Sequence, residues 1–286
     1  MISNLILHSD TDAALRSILQ SPPHALLLSG NSGSGKEYTA KWLASNLLGA
    51  ELTNHPYFMH IKPEAGKTIG VDNVRELKQF VRLKTTGSKT IRRIVLIADA
   101  QSMTVEAQNA LLKLLEEPPE DTIILMTVQN QKSLMPTIYS RVQQVHIKPI
   151  TKQQAANLSQ GTSAVDIERA YLLSRGDVGL LISLLENNDS HELVEAIRRS
   201  KELLAGNMFS RLQLVDSLSK DKDDLANLLF AMKRICAAAI IQSVDKGNDV
   251  LFKRWQTSLE AIYNSEKSLK GNANVKLLLT DLFLSI

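Results

Sequence analysis

Short apolar runs alternate with longer stretches in which apolar residues return every three or four positions, and this alternation fills the first half of the chain. Residues 24–29, 58–61, 94–97 and 123–128 are brief, nearly uninterrupted apolar runs, the pattern of strands buried on both faces. Residues 142–147 suggest a shorter fifth strand. Between the runs lie helical spacings: Leu15, Ile18 and Leu19; Trp42, Leu43, Leu47 and Leu48; Val71, Val74, Leu77, Phe80 and Val81; Ala107, Ala110, Leu111, Leu114 and Leu115. Asp10-Thr11-Asp12 is the expected cap of the first helix and Pro22-Pro23 its end, while Pro118-Pro119 closes the fourth. Strand and helix in strict alternation predict an α/β fold with a doubly wound parallel sheet. After Pro149 only helical spacing remains. The expected division is a sheet-bearing core at 1–149, a small helical domain at 150–195 and a second one at 196–286. In the last, Leu225, Leu228, Leu229, Met232 and Ile235 mark one face of a bundle helix.

The first apolar run leads into Gly30-Asn31-Ser32-Gly33-Ser34-Gly35-Lys36-Glu37, with helical spacing at once behind it. Strand, glycine-rich loop and helix in that order form a phosphate-binding loop: glycines let successive N–H groups wrap the phosphates and the lysine reaches the terminal ones. The last position normally carries Ser or Thr, whose hydroxyl ligates Mg²⁺. Here it is Glu37, a carboxylate that must turn outward to avoid phosphate oxygens of its own sign. The third strand ends in Ala98-Asp99, where a hydrolase needs an acidic pair for metal and water. Ala98 takes the metal-associated position. Asp99 is either a short stand-in for the water-polarising Glu or the cap of the next helix. Two metal-related positions are thus degraded together, and the expectation is a loop that holds no nucleotide productively, with weak ATP or ADP binding still open.

Composition adds limits. The chain has 286 residues, 44% hydrophobic and 22% charged, with net charge +3, a balance compatible with nucleic acid but too small to require it. Cys236 is the only cysteine, so neither an internal disulfide nor a cysteine-built zinc site can form. It lies in an apolar run that reads as a buried helix. The start of the chain lacks the flanks of a signal peptide and no apolar stretch is long enough to span a membrane, so the expected location is cytoplasmic.

Residues 106–119, Glu-Ala-Gln-Asn-Ala-Leu-Leu-Lys-Leu-Leu-Glu-Glu-Pro-Pro, closely resemble the hallmark of bacterial clamp-loader subunits, the AAA+ proteins of the DNA polymerase III holoenzyme. Residues 134–141, ending in Ser140-Arg141, resemble the family's Ser-Arg-Cys stretch, and His55-Pro56 and residues 69–77 match in order and spacing. The resemblance covers about residues 20–150 and is diffuse beyond. It implies an AAA+ core followed by a helical lid and a helical collar. By the family's spacing, Gly179 in Ser174-Arg175-Gly176-Asp177-Val178-Gly179 falls where motor subunits carry a γ-phosphate-sensing arginine, Arg175 being one turn too early and a surface residue. Val128 falls at the strand-end sensor and offers no polar group.

These losses imply a non-hydrolysing stator of the loader, a subunit of the DNA-directed DNA polymerase holoenzyme. The resemblance assigns Ser140 and Arg141 to the position from which an arginine enters the neighbouring subunit's ATP site. Implied partners are gamma/tau-type motor subunits and a delta subunit in a hetero-pentamer, with the sliding clamp and primed DNA. Relatives often carry a four-cysteine zinc module where residues 49–54 join the elements directly, so no zinc is expected; Val142 replaces the cysteine after Ser-Arg. Arg75, Lys78, Arg82 and Lys84 have spacings that suit one helix face toward phosphate backbone, or plain solvated lysines and arginines. An ATP-hydrolysing motor subunit, with Asp99 as a weak base, and a P-loop DNA-binding or recombination protein working without a clamp both stay open.

Overall fold

The computed structural model describes residues 5–64, 67–85, 90–130, 133–158, 163–186, 192–271 and 273–286. Its first compact unit comprises residues 1–154 together with 176–179, and its second residues 155–175 with 180–286.

In the first unit, α1 (Ser9–Gln20), β1 (Ala25–Ser29), α2 (Lys36–Leu48), β2 (Phe58–Ile61), α3 (Val71–Arg82), β3 (Arg93–Ile97), α4 (Val105–Glu116), β4 (Thr122–Val128), α5 (Pro136–Tyr139) and β5 (Gln143–His146) follow one another. The five strands form one sheet in the order β2-β3-β4-β1-β5, parallel at every pairing. Leu27 stands opposite Met126 on one side and Gln144 on the other. The two-residue period of the strands sorts the apolar runs into two cores. Leu27, Val95, Ile97, Ile124 and Met126 face α3 and α4, packing on Val74, Leu77, Leu111 and Leu115. Leu26, Leu28, Ile94, Leu96 and Leu125 face α1 and α2, packing on Leu15, Ile18, Leu43 and Leu48. Each fully buried aliphatic side chain contributes about 1.5–3 kcal/mol of transfer free energy, and helices on both faces are what a parallel sheet requires.

Two local expectations change. Helix α1 is capped by His8, whose Nδ1 accepts from the Asp10 N–H at 3.2 Å, and not by the Asp10–Asp12 run. Helix α4 is capped by Thr104, whose hydroxyl accepts from Ala107 N–H at 3.2 Å. Asp99 is therefore not that helix's cap. Arg93 lies on β3 and is only 1% exposed. Its guanidinium donates to the Val81 and Leu83 carbonyls and lies 5.5 Å from the Phe80 ring, so a strand residue closes the C-terminus of α3. Lys84 is beyond that helix, leaving Arg75, Lys78 and Arg82 on it.

In the second unit are α7 (Ala164–Ser174), most of α8 (Val178–Leu185), α9 (Glu192–Ala205), α10 (Met208–Gln213), α11 (Val215–Leu218), α12 (Lys222–Asp245), α13 (Asp249–Lys270) and α14 (Val275–Ser285); α6 (Lys152–Ala156) and α8 each carry residues of both units. Leu225, Leu228, Leu229 and Met232 of α12 are buried with Cys236 against Ile262, Leu279 and Phe283. Burial pushes the Cys236 thiol up to about 11, so it stays protonated at neutral pH. Among the described residues no helix is long and apolar enough to cross a membrane.

Candidate phosphate loop and outward arginine

The loop leaves β1 where that strand is flanked by β4 and β5, at the carboxyl edge of the sheet, the place where open α/β sheets bind ligands. Gly30 N–H donates to the Val128 carbonyl at 3.2 Å, which ties the loop to the end of β4. Gly33 and Gly35 take positive φ, 84° and 81°, a conformation glycine reaches without strain. Gly35 then starts α2. Residues 30–36 thus run from the end of β1, through two glycines of positive φ, to the first residue of α2.

The side chains are turned inward. Lys36 is 8% exposed, and its Nζ donates to the Asn31 carbonyl at 2.7 Å. Burial lowers its pKa, an effect opposed by the charges of Asp99 and Asp177. Asn31 Nδ2 donates to Asp177 Oδ1 at 3.4 Å, and Asp177 is 1% exposed. The Ser34 hydroxyl is buried without a hydrogen-bond partner in the described structure. Gly179 packs backbone to backbone on the loop: a Cβ there would stand 2.8 Å from the Gly33 carbonyl oxygen and 2.9 Å from Gly35 N. No arginine side chain fits that position in this arrangement.

Glu37 does turn away from the loop. Its carboxylate meets Lys41 Nζ at 2.5 Å and His60 Nε2 at 3.4 Å. Burial pushes the Glu37 carboxyl up, but Lys41, His60 and Lys62 outweigh it and hold its pKa below the usual value. Asp99 adopts φ 48° at the start of a short 3₁₀ turn, donates its N–H to Thr127 Oγ1 at 2.9 Å and accepts from Gln101 Nε2 at 3.0 Å. Val128, the residue after Thr127, is buried. Arg175 is exposed at the C-terminus of α7.

Arg141 lies elsewhere in the same unit, directly after α5 and Ser140. Its backbone is held at both ends: its N–H donates to the Ile138 carbonyl at 3.0 Å, and its own carbonyl accepts from His24 Nε2 at 3.1 Å. Its side chain is 33% exposed and pairs with Glu116, NH2 to Oε1 at 2.7 Å and Nε to the same oxygen at 3.1 Å. NH1 donates to the Thr137 carbonyl at 2.9 Å and to Ser140 Oγ at 3.1 Å. Ser140 is thus a neighbour that orients the guanidinium, with its own hydroxyl donating to the Thr137 carbonyl at 3.1 Å.

Asp177, Thr127, His60 and Glu116 were not foreseen as members of these sites. Asp177 and Glu116 each stand inside a quoted motif, so their positions were in view; their partners were not, because each contact joins segments far apart in the chain. His60 and Thr127 sit in apolar strand runs, where period alone marks them as packing.

A family model described as "DNA polymerase III, delta subunit" matches residues 11–151. The chain is similar to DNA polymerase III subunit delta′ of Escherichia coli K12, 30% identical over 302 residues that cover 92% of this chain and 88% of that one. It is 40% identical over 136 residues to the Pseudomonas aeruginosa delta′ subunit, a match that spans 41% of that protein's length. Among solved structures, a DNA polymerase III gamma subunit-related protein of Thermotoga maritima aligns with TM-score 0.60 over 96% of this chain and 97% of that one, at 21% identity, which establishes a shared fold. From the sequence relationship across nearly its whole length, the chain belongs to the DNA polymerase III delta-prime subunit family.

Proposed function

We propose that this chain is the stator of a replicative clamp loader, with a phosphate loop sealed by its own backbone and an arginine offered to the ATP site of a neighbouring motor subunit. The observation that carries the reading is the seat of Gly179 on Gly33 and Gly35. A nucleotide phosphate needs the loop amides, and in this arrangement the chain's own backbone packs there. Lys36 already has a carbonyl for its ammonium and two carboxylates for its charge. Glu37 supplies no hydroxyl for Mg²⁺, and Asp99 is engaged by Gln101 and Thr127. These features support a subunit that neither hydrolyses ATP nor holds it productively, and they weigh against the motor reading. Residual weak binding of ATP or ADP would require 176–179 to lift from the loop.

Arg141 is partly exposed, on a backbone anchored from both sides. An arginine supplied in trans neutralises charge on the transferring phosphoryl group and is worth about 10³–10⁵ in rate. In this reading gamma/tau-type motor subunits and a delta subunit complete the hetero-pentamer, which opens the sliding clamp and places it on primed DNA. The relationship to the delta-prime family supports a role inside such a loader rather than as a free-standing recombination protein. The loader works on DNA, so the expected setting is the cytoplasm.

The test is reconstitution with motor and delta subunits. Purified alone, the chain turns over no ATP. Within the complex, Arg141→Ala abolishes hydrolysis at the adjoining site and slows clamp loading while assembly by gel filtration is intact. Appreciable intrinsic turnover, or unchanged loading with the Ala variant, overturns the proposal.

A further inference from the structure

We propose that Glu116 is the positioning residue for Arg141, a retaining carboxylate that parks the guanidinium on its own chain and sets how readily a neighbour's nucleotide captures it. This rests on the trans-arginine reading above.

A guanidinium has five N–H donors and grips phosphate best with two parallel ones along an edge. In Arg141 the Nε–NH2 edge is taken by Glu116 Oε1, and NH1 is spent on Thr137 and Ser140. Four donors are therefore used within the chain and a single NH2 proton is left, too few for a two-point grip. Capture by phosphate requires an exchange. A phosphate approaching the remaining edge would stand one guanidinium's width from the Glu116 carboxylate, and like charge opposes that sharing. The carboxylate gives way, and the exchange is a side-chain swing, since the Arg141 backbone is fixed by Ile138 and His24.

The parked state is also self-restoring. Glu116 is the last residue of α4, where the helix dipole and the unpaired carbonyls disfavour an anion. Paired with Arg141 the anion is answered; without it the carboxylate faces the negative helix end. Loss of the nucleotide's γ-phosphate thus returns the arginine to Glu116. Both side chains are partly exposed, 33% and 49%, and exposed pairs hold weakly. Release therefore costs only a few-fold in affinity, as suits a latch that must open in every cycle.

The experiment compares Glu116→Gln and Glu116→Asp with wild type in the reconstituted loader, reading KM and kcat for ATP separately, with Arg141→Ala as reference. With the charge removed, Gln lowers the KM of the adjoining site about 2–5-fold, leaves kcat within about twofold, and the difference fades at high salt as screening weakens the wild-type pair. Asp keeps the charge and holds KM at or near wild type. An unchanged or raised KM for Gln overturns the latch. So does a kcat loss matching Arg141→Ala, which would make Glu116 an orienting partner that stays in place. If Arg141→Ala itself leaves hydrolysis untouched, the trans-arginine reading fails first, whatever Glu116 does.

Discussion

Lys36 and Arg141 are two cations of the same compact unit, and their surroundings differ in nearly every respect. Lys36 is buried, bonded to a carbonyl of its own loop and faced by two carboxylates. Arg141 is partly exposed and held by one carboxylate that is itself half in water. A buried cation is committed, because moving it leaves uncompensated charge in a poorly solvated place. An exposed one can change partners at small cost. The difference separates a cation fixed within the fold from one that can exchange its partner.

The largest effect expected is functional. Arg141→Ala should lower hydrolysis at the adjoining motor site by about 10³-fold or more and shift the melting temperature hardly at all. Among arginines the converse is Arg93→Met, which strips the carbonyls of Val81 and Leu83 of their donor inside the core. Chemical denaturation should read a loss of about 3 kcal/mol, with no part of it visible as a specific defect in a neighbour's catalysis. Lys36→Met should cost about 2 kcal/mol, since Asp99 and Asp177 lose their cation, while loader ATPase stays near wild type. An ATPase loss as deep as that of Arg141→Ala would erase the contrast between the two cations.

Gly179→Ala sharpens the sealed half of the comparison. A methyl group there meets the Gly33 carbonyl and Gly35 N at under 3 Å, so the loop or the 176–179 segment must shift, at about 1–2 kcal/mol. Calorimetry with Mg·ATP then tells whether displacement alone admits nucleotide. The smallest effect concerns acid. Asp121 is partly buried, which pushes its carboxyl up, but bonds from Thr85 and Thr122 and the charges of Arg93 and Arg92 hold its pKa below the usual value. A depressed carboxyl stabilises above its ordinary pKa and loses that contribution as pH falls through the folded value. Asp121→Asn should be about 1 kcal/mol less stable at neutral pH, and the gap should close as acid protonates the wild-type carboxylate.

The sheet was legible because its signal is local. Apolar runs of four to six residues separated by helical spacing placed four strands and the 142–147 stretch suggested the fifth, while the division into two cores follows from the two-residue period once the strands are paired. The loop was legible for the same reason, its glycines and lysine being contiguous. What stayed hidden lay in contacts across long separations. That Asp177 would answer Asn31 and Lys36, that Glu116 would hold Arg141, and that Arg93 would end α3 all depend on segments meeting in space. Asp99, left open between two roles, precedes a short 3₁₀ turn without capping it through its side chain. It stands at the N-cap position of that turn in a positive-φ conformation, while the cap bond of α4 is made by Thr104.

Gly176 gives the packing of residues 176–179 on the loop a second point of attachment. A methyl group on it would collide with the Ile150 carbonyl at 2.3 Å, and its own carbonyl accepts from Ile150 N–H at 2.9 Å. The 176–179 stretch is therefore tied to Ile150 at one end and packed on Gly33 and Gly35 at the other. Any side chain at Gly176 would have to displace residue 150 or the stretch running to Gly179, so a single hydrogen atom at this position bears on how residues 176–179 meet the loop.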